Sequence, residues 1–167
     1  MYNDKPEETI RLKPVNSWAS VDVAFYKSSK FPYIVYNLVK TYGGSHGLGM
    51  YLAAKATVET QRFTSRVFKE QNNFFGMRCP KQRETTMYEC RSNYAYFKTY
   101  ADSVRDYLLW WSQKGVSVSQ MNTWVLYDLI YNEKYMFPKY PYYEADFEKY
   151  VNLVNYQLKG LIKYNAI

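Results

Sequence analysis

The residues best suited to chemistry in this chain lie between Leu48 and Met77. Glu59 closes an apolar, alanine-rich stretch in which Leu48, Leu52, Ala56 and Glu59 recur at i, i+4, i+8 and i+11, one face of a helix. A carboxyl on such a stripe loses water, and its charge is costly to bury unless it is paired or protonated. Its pKa is therefore expected to rise, which is what a general acid needs near neutral pH. The plain alternative is a helix-terminal glutamate that turns outward. Downstream, Gln71 to Gly76 reads Gln-Asn-Asn-Phe-Phe-Gly, too polar and turn-like for a helix interior.

The other reactive side chains are few. There are 2 cysteines, Cys79 and Cys90, and 1 histidine, His46. That inventory cannot build a structural zinc site of the usual kinds, and no cofactor motif is present. The cysteines flank an expected β-hairpin, so a disulfide clipping it and a pair of free thiols both stand open. No spacing supports a Cys–His catalytic pair.

These groups must be positioned by a chain of 167 residues, enough for one domain that buries most of its apolar surface. Aromatic content is high, with 20 Tyr, 9 Phe and 4 Trp. Tyrosine suits ligands such as sugars, because the ring stacks while the phenol hydrogen-bonds, although it also serves as partly buried filler. The formal charge of +7 is spread along the chain and favours anionic polymers without choosing among them. No nucleic-acid module or glycine-rich phosphate loop appears. Nothing approaches 18 consecutive apolar residues, which predicts no membrane span. The polar, charged start, Met1 to Pro14, predicts no secretory signal.

Taken in order, residues 1–16 read as an extended N-terminal arm and 17–167 as a single domain. A short helix is expected from Trp18 to about Tyr26, capped by Asn16 or Ser17 and broken at Ser28-Ser29-Lys30. A second runs from Phe31 to about Thr41 and ends at Gly43-Gly44. The central helix covers Leu48 to Glu59, with a break at Thr64-Ser65. The pattern then turns to β: Thr85 to Tyr88, a turn near Arg91-Ser92-Asn93, and Tyr94 to Phe97. Asp102 or Ser103 is expected to cap a helix stopped by Gly115, and Ser119 another reaching about Tyr131. A proline- and tyrosine-rich loop, Met136 to Tyr143, precedes a last helix from Ala145 to Tyr164. The fold class is α+β, mostly helical, with a small β-hairpin lobe.

Four pieces in this order resemble the glucosaminidases of glycoside hydrolase family 73: Ala56 to Thr60 (Ala-Thr-Val-Glu-Thr), Asn72 to Met77 (Asn-Asn-Phe-Phe-Gly-Met), Tyr96 to Tyr100 (Tyr-Phe-Lys-Thr-Tyr) and Arg105 to Trp111 (Arg-Asp-Tyr-Leu-Leu-Trp-Trp). The resemblance extends from about Phe31 to about Leu158. It implies a lysozyme-like fold that hydrolyses peptidoglycan glycan strands after N-acetylglucosamine, with Glu59 as the acid. It also implies that Asn72, Asn73, Phe74 and Gly76 form the cleft floor, where amides hold acetamido groups. Tyr143 matches a cleft-lining tyrosine, with Tyr142 as its alternative. The second acid is implied to lie on the hairpin, as Glu84 or alternatively Glu89, unless the substrate's own acetamido group serves as nucleophile. A lytic transglycosylase and a catalytically silent wall-binding or virion domain share the fold. Together with the signal-less start, the resemblance points to delivery as a phage lysin or virion component, with other virion proteins as partners.

Overall fold

The computed structural model describes residues 23–124, 127–136 and 144–163. The expected arm over 1–16, the cap at Asn16 or Ser17, and Tyr142 and Tyr143 lie outside them.

The centre is α3 (His46–Glu59), started by Ser45, whose hydroxyl accepts from Leu48 N at 3.0 Å. Every residue from Leu48 to Thr57 is buried, so the helix is enclosed on all sides and not on one stripe. α2 (Phe31–Thr41) and α8 (Glu144–Lys163) pack against it. Close approach of α2 depends on Gly49, where a Cβ would come within 2.7 Å of the Tyr36 ring. α1 (Val23–Ser28) precedes α2 and ends at the expected serine break.

α3 stops abruptly. Gln61, Arg62 and Phe63 follow one another at φ of 52°, 60° and 64°, a left-handed turn costing roughly 1–2 kcal/mol per non-glycine residue. Thr60 holds it together: its hydroxyl accepts from Phe63 N at 2.8 Å and its carbonyl from Ser65 N at 2.9 Å. The turn drives the Phe63 ring among Phe25, Phe31, Phe68 and Phe74, and that burial offsets the backbone cost. Ser65 then caps a short helix the pattern did not anticipate, α4 (Arg66–Gln71).

The hairpin is shorter and later than expected. β1 (Glu89–Arg91) pairs antiparallel with β2 (Tyr94–Tyr96) across Ser92-Asn93, both at positive φ, the two-residue turn that matches strand twist. Thr85 and Thr86 are not in a strand because a buried carboxylate claims them. Asp106 accepts from Thr85 Oγ1 at 2.6 Å, from Thr86 N at 3.1 Å, and from both Arg83 guanidinium NH groups at 3.0 and 2.7 Å. On the other edge of β2, Ala95 N donates to Met77 O and Cys79 N to Asn93 O. A Cys79–Cys90 disulfide, Cα atoms 5.6 Å apart, joins that flank to β1 and stabilises the lobe by roughly 2–3 kcal/mol in the chain-entropy picture.

Beyond the lobe, α5 (Tyr100–Gln113) is capped by Thr99 instead of Asp102 or Ser103, since the Thr99 hydroxyl accepts from Asp102 N. Ser117, not Ser119, starts α6 (Val118–Thr123) through a capping box with Gln120. α6 ends at Trp124, and α7 (Tyr127–Met136) is a separate helix. The outcome is an α+β, mostly helical fold with a two-stranded lobe, the expected class.

Candidate active site

Glu59 is the last residue of α3, where the chain leaves the core. Its side chain is 27% exposed and lines a cavity of about 370 Å³ bounded by α3, α4, the 73–78 segment, α5 and α7. The Tyr150 hydroxyl, from α8, donates to Glu59 Oε2 at 2.6 Å. The other oxygen, Oε1, faces Gly76: a Cβ there would lie 3.7 Å from it. Gly76 has φ +61°, so a side chain is disfavoured by the backbone as well. Burial raises the Glu59 pKa, Lys55 and the Tyr150 bond pull it back, and Glu133 adds to the rise; the net direction is upward. Oε1, the oxygen not engaged by Tyr150, is the one that borders the space beside Gly76.

Beneath Glu59 lies a lysine. Lys55 is one helical turn earlier, 2% exposed, with Nζ 3.9 Å from Glu59 Oε2. It donates to both Glu133 oxygens at 2.9 and 2.8 Å, and Glu133 Oε2 also accepts from the Tyr107 hydroxyl at 3.1 Å. The Tyr107 and Tyr150 rings flank Nζ at 5.7 and 5.3 Å. Burial pulls the ammonium pKa down, but opposite charge, the Glu133 carboxylate first, outweighs it and leaves it well above the usual lysine range.

The expected floor divides into two groups. Asn73 and Gly76 line the cavity with Glu59. Asn73, however, is occupied by the chain itself: its amide nitrogen donates to Met77 O and Ala95 O, and its oxygen accepts from Met77 N. Asn72 ends α4 at φ 54° and donates to Phe97 O at 2.8 Å. Phe74 is fully buried, stacked on Phe68. Asn72 and Phe74 thus hold the floor from behind. Phe75 is the ring that reaches the cavity, against Tyr107 at 4.5 Å between centroids.

The two expected second acids do not line the cavity that Glu59 lines. Glu84 is exposed and lines a neighbouring hollow of about 1060 Å³. Glu89 is exposed in β1 and lines neither; Arg91, 3.1 Å away, holds its carboxyl below the usual range. Among the described residues, Glu133 is the other carboxylate lining the Glu59 cavity. The two hollows share Met77, Arg78 and Trp110, so they lie side by side. Both cysteines are in the disulfide, and His46 bonds Tyr36 through Nδ1, so neither supplies a nucleophile pair.

Lys55, Phe75, Glu133 and Tyr150 are not among the residues expected from the sequence. Lys55 left a signal, a lone charge in an apolar helix four residues before Glu59. Glu133 and Tyr150 left none, lying 78 and 91 residues from their partners.

A carboxyl of raised pKa lining an open cavity is chemically able to give a proton to a group lying there. Comparison takes this a step further. Residues 40–115 match the glucosaminidase family model, described as mannosyl-glycoprotein endo-beta-N-acetylglucosaminidase. All four pieces of the sequence resemblance fall inside that segment, which is narrower than the Phe31 to Leu158 span. The match supports a glycoside hydrolase. A solved chain from a type VI secretion system effector-immunity complex of Pseudomonas protegens is similar at 15% identity, covering 82% of this chain and 93% of that chain, with a TM-score of 0.48. No curated protein matches the chain. Among the described residues no helix is long and apolar enough to cross a membrane.

Proposed function

We propose that this protein hydrolyses peptidoglycan glycan strands after N-acetylglucosamine, with Glu59 as general acid and residues 17–167 as one catalytic unit. The observation that carries the proposal is the Glu59 carboxyl itself: raised in pKa by burial, held on one oxygen by Tyr150 and open on the other beside Gly76. An acid in this state protonates the glycosidic oxygen as its bond to C1 breaks. Two adjacent hollows suit an extended substrate, and Phe75 and Trp110 put apolar ring atoms into the cavity wall.

The second group in this proposal is the substrate. Glu84 and Glu89 stand outside the cavity, and Glu133 has both oxygens bound by Lys55. The acetamido oxygen of the cleaved residue then attacks C1 while Glu59 gives its proton to the leaving oxygen. Water opens the resulting oxazolinium ring and returns a proton to Glu59. Delivery to the wall as a phage lysin or virion component belongs to the same proposal, and the charge of +7 suits approach to an anionic polymer.

Product ends test it. Mass spectrometry of fragments released from purified peptidoglycan should show reducing N-acetylglucosamine ends. Anhydro-muramyl ends would make the protein a lytic transglycosylase, and wall binding without soluble fragments a silent binding domain.

A further inference from the structure

Lys55 is a buried ammonium beneath the acid that the proposed reaction uses. Left alone it would oppose that use, because a cation 3.9 Å from Glu59 Oε2 favours the ionised carboxylate. It is not left alone. Both oxygens of Glu133 accept from Nζ at 2.9 and 2.8 Å, and Tyr107 donates to the same carboxylate. Nζ is thus closer to Glu133 than to Glu59 by about an ångström, and with Lys55 2% exposed there is little water to screen the difference.

We propose that Glu133 is a positioning residue that neutralises Lys55, so that Glu59 keeps the proton it donates to the glycosidic oxygen. This rests on the glycosidase reading for its purpose but not for its physics. The ion pair joins α3 to α7 underneath the reacting groups, and Glu133 touches neither the leaving oxygen nor C1 in this scheme. The charged and titratable groups facing the pair and Glu59 come from every surrounding element: Tyr51 on α3, Tyr107 on α5, Glu133 on α7 and Tyr150 on α8, with Arg78 on the groove rim. Tyr51, Tyr107 and Tyr150 are phenols. Tyr107 and Tyr150 have pKa values pushed well up by burial, so those two stay neutral while Glu59 titrates. Beside burial and the Tyr150 bond, the charges among the described residues that act on Glu59 are Lys55, which favours the carboxylate, and Glu133, which opposes it. A lysine with its counter-charge can sit beneath the carboxyl without deprotonating it; a lysine without one cannot.

The test follows Glu59 itself, by its carboxyl carbon-13 resonance, assigned by its loss in Glu59→Gln. Wild type, Glu133→Gln, Lys55→Met and the double variant Lys55→Met/Glu133→Gln are titrated. The midpoint should fall by about 1–3 pH units in Glu133→Gln, rise above wild type in Lys55→Met, and return below the Lys55→Met value in the double variant. An unmoved midpoint in a folded Glu133→Gln overturns the proposal. If that variant does not fold, a Lys55→Met midpoint at or below wild type, or a double variant equal to Lys55→Met, overturns it instead. The basic limb of the wall-hydrolysis profile should move in the same order. Should the midpoints follow the order while wild type releases no fragments, the role of the pair stands and the glycosidase reading fails. Should fragments appear with reducing N-acetylglucosamine ends while the midpoints do not move, the reverse holds.

Discussion

The Tyr150 hydroxyl donates to Glu59 Oε2 at 2.6 Å, across 91 residues of sequence. The bond does two opposed things. It orients the carboxyl with Oε1 toward Gly76, and it stabilises the ionised form, working against the rise caused by burial. Tyr150→Phe should therefore raise the basic limb of the pH profile while lowering kcat by about tenfold or more through lost orientation. Initial rates across pH on a soluble glycan substrate check both signs. A basic limb shifted downward would count against this geometry.

Glu59 should lower stability as the solution becomes less acid. Its folded pKa lies above the unfolded one, so between the two values the native state binds more protons and unfolding becomes easier as pH rises. The contribution is fully present below the unfolded carboxylate pKa and is lost as pH climbs through the folded one. Glu59→Gln removes that loss. Its Tm should match wild type near pH 4 and exceed it near pH 8, by thermal unfolding followed with circular dichroism. An equal difference at both ends would mean the carboxyl is not titrating as described.

Gly76 leaves Oε1 of Glu59 uncovered. Gly76→Ala puts a methyl in ordinary contact with that oxygen and a side chain at φ +61°. Stability should drop by roughly 1–2 kcal/mol, and hydrolysis by about tenfold. Urea melts and turnover on the same preparation separate the two effects. A stability loss with unchanged turnover would remove Gly76 from the substrate path.

Asp106 anchors the loop that forms the second hollow. It is fully buried and paired with Arg83 at 2.7 Å. Asp106→Ala leaves the arginine and two threonine donors without their acceptor and should cost about 3–5 kcal/mol in urea denaturation. A change below about 1 kcal/mol would show that the loop finds other partners.

Much of this was legible in the chain, and what was not shares a cause. α3 and its terminal acid, the turn-like Asn72 to Gly76 segment and the presence of a hairpin follow from local periodicity and turn chemistry. Thr85 and Thr86 have good strand propensity, but their bonding is decided by Asp106, twenty residues away, and no strand pattern carries that. The left-handed turn at Gln61 to Phe63 contains no glycine to announce it and depends on a pocket of rings assembled from α1 to α4. In the groove, the Asn-Asn-Phe-Phe-Gly segment was visible as a unit. Which amide and which ring line the cavity is not carried by the segment's composition: Asn73 and Phe75 line it, while Phe74 is in the core. Lys55, Glu133 and Tyr150 converge only because three helices pack around one end of α3.

The most direct measurement is turnover of purified peptidoglycan by wild type and by Glu59→Gln, with wall binding measured in parallel. Removing a general acid should reduce kcat by about 10²–10⁴-fold while binding persists, since Gln keeps the acceptor that Tyr150 uses. Turnover within about threefold of wild type would contradict the assignment of Glu59 and, with it, the account of the groove.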